Sequence, residues 1–427
     1  MEAYRFENLS IFLDKEGSRE FSKVSYPVRY GRFGEIATPD YIFQFSLNGE
    51  IKTIQGRGRN WPHPSEWLKR TLGDDWVYYS SGDYTDLYDL TGEYYLPCLS
   101  YPSNSVIGGN PFKDHAVTSA IRTWQNLQDE FMALVPDSIP GSLKDFLTRV
   151  KEFDADALRS RSRELHRLIG RRVTVLPPDT RHVDYEVIPL IVADGCLYHC
   201  GFCRVKSGQD FTSRTREDIL EQIQNLKRFY GRDLPNYNSV FLGHHDALLA
   251  GQDLLEFAAE HAYRILDLGR SYLKDPRLFL FGSVDSMILS KETTFESLNK
   301  LPFLTYINIG LESADSVTLA MLRKPVRPER VREAYGRMVD INRKYEKVEV
   351  TANFVIGEDL PPDHLPSLLD LVRSEFNQPF NKGSIYLSPL IDSGIEDAER
   401  RREILRRFRK MKTQSRFPVF LYLIQRL

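Results

Sequence analysis

Residues 185–203 read YEVIPLIVADGCLYHCGFC, a continuous apolar run that passes directly into Cys196, Cys200 and Cys203. A short run of this kind, without polar alternation, is the pattern of a strand covered on both faces, as in a parallel sheet. Five more runs follow it: SVFLG (239–243), RLFLFGS (277–283), LTYINIG (304–310), VEVTANFVIG (348–357) and SIYLSPL (384–390). Between them lie amphipathic helical patterns at about 216–230, 252–268, 291–300, 328–345 and 362–376. Strand and helix alternating in this way predict βα units around a parallel sheet. Six units are too few to close an eightfold barrel, so the expected fold is α/β, an open partial (β/α)6 barrel over residues 182–392. Chemistry in such folds gathers at the C-terminal ends of the strands.

The first 137 residues read differently. Gly, Asn and Asp punctuate short aromatic and β-branched segments such as YIFQFSLNGEIKTIQG (41–56), which predicts a separate β-rich or α+β domain. Its aromatic stretches, from Trp61 to Leu68 and from Asp75 to Tyr79, serve either as its core or as a lid and substrate-recognition face over the barrel. Residues 138–181 form a helical connector. Beyond the barrel, 393–427 is expected as an extension, a basic helix at 397–412 followed by the strand-like FPVFLYLI.

Of 427 residues, 57 are basic and 59 acidic, a formal charge of −2 that provides no overall field to recruit nucleic acid or an anionic membrane. The start lacks a basic stretch followed by an apolar one, and no run of about 20 apolar residues occurs. A cytoplasmic protein without membrane association is expected. Four cysteines are present, three clustered and Cys98 apart, which is no disulfide framework. Cys98, in the aromatic context LPCLSY, is read as a buried structural thiol, with a fourth ligand or reactive group as the alternative.

Thiolates are the usual ligands of iron–sulfur clusters, and three of them leave one iron of a four-iron cubane open. The competing reading is a zinc site completed by His199 or a distant histidine. The spacing from Cys196 to Cys203, with aromatic Phe202 before the last cysteine, resembles the motif of the radical S-adenosylmethionine (radical SAM) superfamily. That resemblance implies an oxygen-sensitive 4Fe–4S cluster on the three cysteines, with S-adenosylmethionine (SAM) bound at the open iron and the backbone near Phe202 close to its adenine.

Four later segments carry the resemblance along residues 183–392. Gly243-His244-His245-Asp246 is similar to the stretch that binds the methionyl amino group, although the two histidines depart from the usual two glycines and an acid. Asp246 either meets that ammonium or caps the next helix, and either histidine is an alternative proton donor to substrate. Ser283 and Asp285 alternate onto one face at the end of the third strand, as ribose partners or as an N-cap cluster. Gly310-Leu311-Glu312-Ser313, then Lys324, resembles an arrangement in which Glu312 and Ser313 lie beside the cofactor and Lys324 meets its carboxylate; surface charge is the other reading of Lys324. Asn353 to Gly357 resembles the segment bracketing adenine, with Val355 and Ile356 against the base and Gly357 allowing close approach. Asn353 itself is either a ligand contact or a satisfied core residue.

The resemblance implies an enzyme that cleaves SAM reductively to a 5′-deoxyadenosyl radical and abstracts hydrogen from an organic substrate. A small metabolite is the preferred class, a modified nucleoside or peptide the second. A reducing donor such as flavodoxin or ferredoxin is implied as partner. No second cysteine block follows the barrel and no Asp-x-His-x-x-Gly stretch occurs, which disfavours auxiliary-cluster enzymes and histidine-ligated cobalamin. The alternatives are a cobalamin-dependent methylase and a non-catalytic iron–sulfur or zinc protein that senses redox state.

Overall fold

The structure is a computed structural model that describes the chain apart from residues 24–28, 60, 81–86, 98–100, 135–138, 204–208, 244, 375–381 and 392–396; residues 127–134 and 374 are described by backbone alone. Cys98 and His244 thus lie outside the described residues.

Short strands with glycine-, asparagine- and aspartate-rich turns build the N-terminal part. They are β1 (Glu2–Phe6), β2 (Leu9–Glu16), β3 (Arg32–Ala37), β4 (Tyr41–Phe45), β5 (Ile51–Gly56), β6 (Trp67–Arg70), β7 (Trp76–Tyr79) and β8 (Tyr95–Pro97). Each pairs antiparallel with the next, giving one eight-stranded sheet in sequence order. Leu9, Ile11 and Leu13 of β2 show the alternation of a sheet covered on one face. The cover comes partly from the helix Gly141–Glu152, whose Phe146 meets Phe45 edge-on at 5.8 Å. Gly49, at φ +100°, makes the turn before β5, and a Cβ there would meet the Arg149 backbone at 2.6 Å.

The second sheet is wholly parallel. β9 (Ile188–Leu190) is followed by the small antiparallel pair β10 (Ala193–Asp194) and β11 (Thr212–Ser213), then β12 (Ser239–Leu242), β13 (Arg277–Ser283), β14 (Leu304–Glu312), β15 (Val348–Ile356), β16 (Ile385–Pro389) and β17 (Val419–Leu421). The order β17-β16-β15-β14-β13-β12-β9, with helices between successive strands, is an open partial barrel. Pro189 is tolerated because β9 is an edge strand, paired only with β12. The expected six strands are all present, and the sheet contains a seventh. The stretch expected as an extension forms the helix Ala398–Gln414 and then β17, which pairs with β16. No described helix is long and apolar enough to cross a membrane.

The N-terminal sheet caps the N-terminal end of the barrel. Lys52 and Lys69 both reach Glu186, just before β9, at 3.3 and 2.9 Å. Asp233 and Asn236, just before β12, bond Leu47 N and the Arg32 backbone. The sheet therefore lies at the end opposite the strand C-termini.

The interior at that end is filled by the turn Pro178–Val183. Its buried Asp179 accepts hydrogen bonds from Thr351 Oγ1 at 2.7 Å and Tyr386 OH at 2.8 Å, while Arg181 Nε donates to Tyr386 OH and Arg181 Nη1 to the Gly92 carbonyl. Burial raises the Asp179 pKa, and those two hydrogen bonds with the Arg181 charge oppose it. Replacing Asp179 by Ala leaves two buried donors and an arginine without their anion. Urea unfolding is expected to show a loss of about 3 kcal/mol, against about 1 kcal/mol for Thr351→Val.

Candidate functional site

A cleft of about 380 Å³ opens at the C-terminal ends of the parallel strands, and all three clustered cysteines line it. Their loop leaves the barrel through β10 and returns through β11. Gly195, at φ +72°, starts it where any Cβ would strike the Asp210 carbonyl at 2.0 Å. Asp194 anchors the base, held by Arg214 Nε at 2.7 Å, Arg214 Nη2 at 3.2 Å and Arg171 at 2.7 Å. The middle is pinned by Gly201 N donating to Leu322 O at 2.8 Å.

Burial pushes the Cys200 thiol up to about 11 against the pull of Lys324, and raises Cys196 as well. Thiols held this way ionise when a metal centre compensates the buried charge. Among the described residues no three His, Cys, Asp or Glu side chains, the three cysteines included, are already drawn together as a ligand set for a metal ion. His199, the neighbouring zinc candidate, does not line the cleft; its Nε2 lies 3.4 Å from Asp210 Oδ1, and both side chains are largely exposed.

Asp246 is buried in the cleft wall and does not cap the short helix that follows it. One carboxylate oxygen, Oδ1, accepts from Ser283 N at 3.2 Å, whereas Oδ2 is buried without a hydrogen-bond partner. Burial raises the Asp246 pKa, and a cationic ligand would reverse that penalty. Gly243, at φ +92°, makes the turn without lining the cleft. His245 lines it with its pKa lowered to about 4, by burial and then by Arg171, so the ring is neutral at pH 7.

The two residues expected near ribose part company. Ser283 caps the helix Val284–Leu289 through a reciprocal pair with Ser286, as its N-cap reading expects, and it also lines the cleft. Asp285 turns away to accept from Tyr198 OH at 2.6 Å and from Arg330 Nε at 3.0 Å. It anchors the cysteine loop through Tyr198.

At the end of β14 the register shifts between Gly310 and Glu312, and Glu312 sits at φ +65°. This bulge aims its carboxylate at Lys324, whose Nζ donates to Glu312 Oε1 at 3.3 Å and Gly310 O at 2.9 Å. Lys324 is buried at 4% side-chain exposure and lies 5.2 Å from the Tyr198 ring, which rules out a solvated surface charge. Two of its three N–H groups are committed.

Ser313, next along, is buried behind the cleft wall. Its hydroxyl meets His364 Nδ1 at 2.8 Å, and His364 Nε2 donates to Val355 O at 2.9 Å. A carbonyl only accepts, so the proton sits on Nε2 and Ser313 donates to Nδ1. Val355 and Phe202 line the cleft, while Ile356 and Gly357 face a neighbouring groove. Asn353 lines the cleft, and its Oδ1 accepts from Ser388 Oγ at 2.9 Å.

Sequence reasoning assigned no role to Tyr198, Asn308 or His364. Asn308 carried a usable signal, a polar residue within the apolar run LTYINIG; His364 carried none, since its partners are 51 and 9 residues away. His364→Leu leaves the Ser313 hydroxyl and the Val355 carbonyl unmatched, a loss of about 2 kcal/mol in urea unfolding at pH 7. Burial lowers the His364 pKa, so the unfolded chain takes up the proton first. Stability from this group is complete above about pH 6.5 and declines as pH falls below it. The Leu variant should accordingly lose less Tm than the parent between pH 7 and 5.

Residues 190–372 match the family model of the radical SAM superfamily. No curated protein matches the sequence. Solved structures that resemble it include a radical SAM methyltransferase from Sphaerobacter thermophilus, at 16% identity over 55% of this chain and 65% of that one, TM-score 0.37. Others are the cobalamin-dependent SAM radical enzyme OxsB, at 16% over 57% and 33%, TM-score 0.35, and coproporphyrinogen III oxidase (HemN) from Escherichia coli, a radical SAM enzyme, at 12% over 62% and 56%, TM-score 0.35. The match spans less than two thirds of each of those chains. The matched segment begins at the last residue of β9, takes in the whole three-cysteine loop and ends within the helix that carries His364; over these residues, less than half of the chain, the sequence fits the radical SAM superfamily model.

Proposed function

We propose that the protein is an enzyme that holds a 4Fe–4S cluster on Cys196, Cys200 and Cys203, binds SAM across the adjoining cleft, and cleaves it reductively to act on an organic substrate. The observation that carries this reading is the company the thiols keep: the bare carboxylate oxygen of Asp246 and the buried pair of Glu312 and Lys324 line the same cleft. An amino acid head group needs one anion and one cation, both desolvated, and this wall supplies both.

In this reading Asp246 Oδ2 accepts the methionyl ammonium, and the remaining N–H of Lys324 meets the carboxylate. Glu312 orients Lys324; burial raises the Glu312 pKa, and Lys324 opposes that rise. Ser283 offers its hydroxyl to ribose; Val355 and Phe202 supply the apolar surface for adenine. His364, by holding the Val355 carbonyl, fixes that edge of β15 and is a positioning residue. When bound, the cluster and SAM together supply a carbon-centred oxidant, generated by one electron from a reduced donor of the flavodoxin or ferredoxin kind. The apolar lining keeps water from that chemistry.

Anaerobic reconstitution with iron and sulfide, followed by dithionite and excess SAM, should yield methionine and 5′-deoxyadenosine detectable by mass spectrometry. Cys200→Ser is expected to abolish product and the cluster's visible absorbance. Asp246→Asn should keep the absorbance but raise the SAM concentration for half-maximal turnover about tenfold, the value of one charge-assisted hydrogen bond. A colourless, zinc-loaded protein without affinity for SAM would refute the proposal.

A further inference from the structure

The cleft wall that comes from outside residues 190–372 is its far wall, beyond the family segment. Four separate segments build it, around Tyr101, Val175, Leu390 and Tyr422, the last two tied by Tyr422 N donating to Leu387 O at 2.9 Å. They are locked to one another: Tyr101 OH donates to Thr174 O at 2.8 Å, Leu176 N to Gln425 O at 2.9 Å, and Asn104 exchanges two hydrogen bonds with the backbone of Ile424 at 3.0 and 2.8 Å. Such a wall is pre-formed, so a ligand that fits it loses little to ordering of the protein.

Charge is divided unevenly around this cleft. Among the described residues, the charged side chains that line it are Asp246, Glu312 and Lys324, each within electrostatic reach of Cys196 or Cys200. The far wall presents aromatic and aliphatic groups with uncharged hydroxyls and amides. A phosphate or carboxylate placed there would be stripped of water with no cation among the described lining residues of that wall to meet it, a penalty of several kcal/mol.

The floor adds a specific polar demand. Asn308 is 1% exposed, and its Nδ2 donates to Thr351 Oγ1 at 2.9 Å. The Thr351 proton is already committed to Asp179, so the amide must turn its NH2 group toward Thr351. Its Oδ1 is buried and has no partner. The network that plugs the barrel thus leaves one oriented acceptor at the cleft floor.

We infer that this half of the cleft takes an uncharged, largely apolar substrate bearing an N–H or O–H donor, which Asn308 Oδ1 accepts. The inference rests on the reading that SAM occupies the cysteine side.

Three matched probes test it on the reconstituted full chain in the presence of SAM: indole, with an N–H donor; 1-methylindole, without one; and indole-3-acetate, with an added anion. Titrations followed by saturation-transfer NMR should show saturable binding of indole, with the other two roughly tenfold weaker, the loss for an unmatched buried acceptor or an uncompensated charge. Asn308→Leu should remove indole's advantage over 1-methylindole. Should that variant fail to fold, the probe comparison on the unaltered chain decides alone. Equal affinities, a preference for indole-3-acetate or no saturable indole binding would overturn the inference. Equilibrium dialysis of SAM on the same sample separates the two readings: SAM bound with indistinguishable probes refutes the substrate class alone, and no SAM binding refutes both.

Discussion

A parallel sheet that stops at seven strands leaves an interior it cannot close by itself, and what fills that interior decides the rest of this molecule. At one end the filling is the chain's own turn 178–183, with Asp179 shared between Thr351 and Tyr386 and balanced by Arg181. A buried carboxylate is stable only while its donors remain in place, so the network fixes β15 and β16 against the turn. Through Thr351 it also sets the orientation of Asn308 on β14. The opposite end stays open, and its polar groups are only partly matched.

That contrast carries chemical content. Buried polar atoms are nearly always paired, so an exception such as Asp246 Oδ2 points to a missing partner. Glu312 and Lys324 form a desolvated pair that a hydrophobic pair of similar size would replace at little cost in stability, which argues for a binding role. The left-handed conformation of Glu312 is strain located at the same place. A buried ion pair, a left-handed residue and two orphaned acceptors, Asp246 Oδ2 and Asn308 Oδ1, belong to residues that line one cleft beside three thiols.

The N-terminal sheet takes part indirectly. It closes the floor of the barrel through Lys52, Lys69 and Asn236, and the chain leaving it returns as Tyr101 to form part of the cleft's far wall. One region thereby stabilises one end of the barrel and shapes the other.

The parallel sheet was legible because each long strand is a continuous apolar run bounded by an amphipathic helix, a periodic signal that needs no tertiary information. The cysteine loop was legible because thiol spacing is local. β17 was missed as a barrel strand because three residues after a basic helix carry too little periodicity to choose a partner. The roles of Lys324, Asp285 and His364 depend on a register shift in β14, on Tyr198 reaching 87 residues ahead, and on a histidine bridging two elements. The amino-acid sequence by itself therefore determined the architecture and the thiol set, since both are written in nearest-neighbour patterns. Only the tertiary structure decided which charges are buried, which acceptors lack partners and which segments form the far wall, because desolvation and hydrogen-bond pairing arise where distant parts of the chain meet.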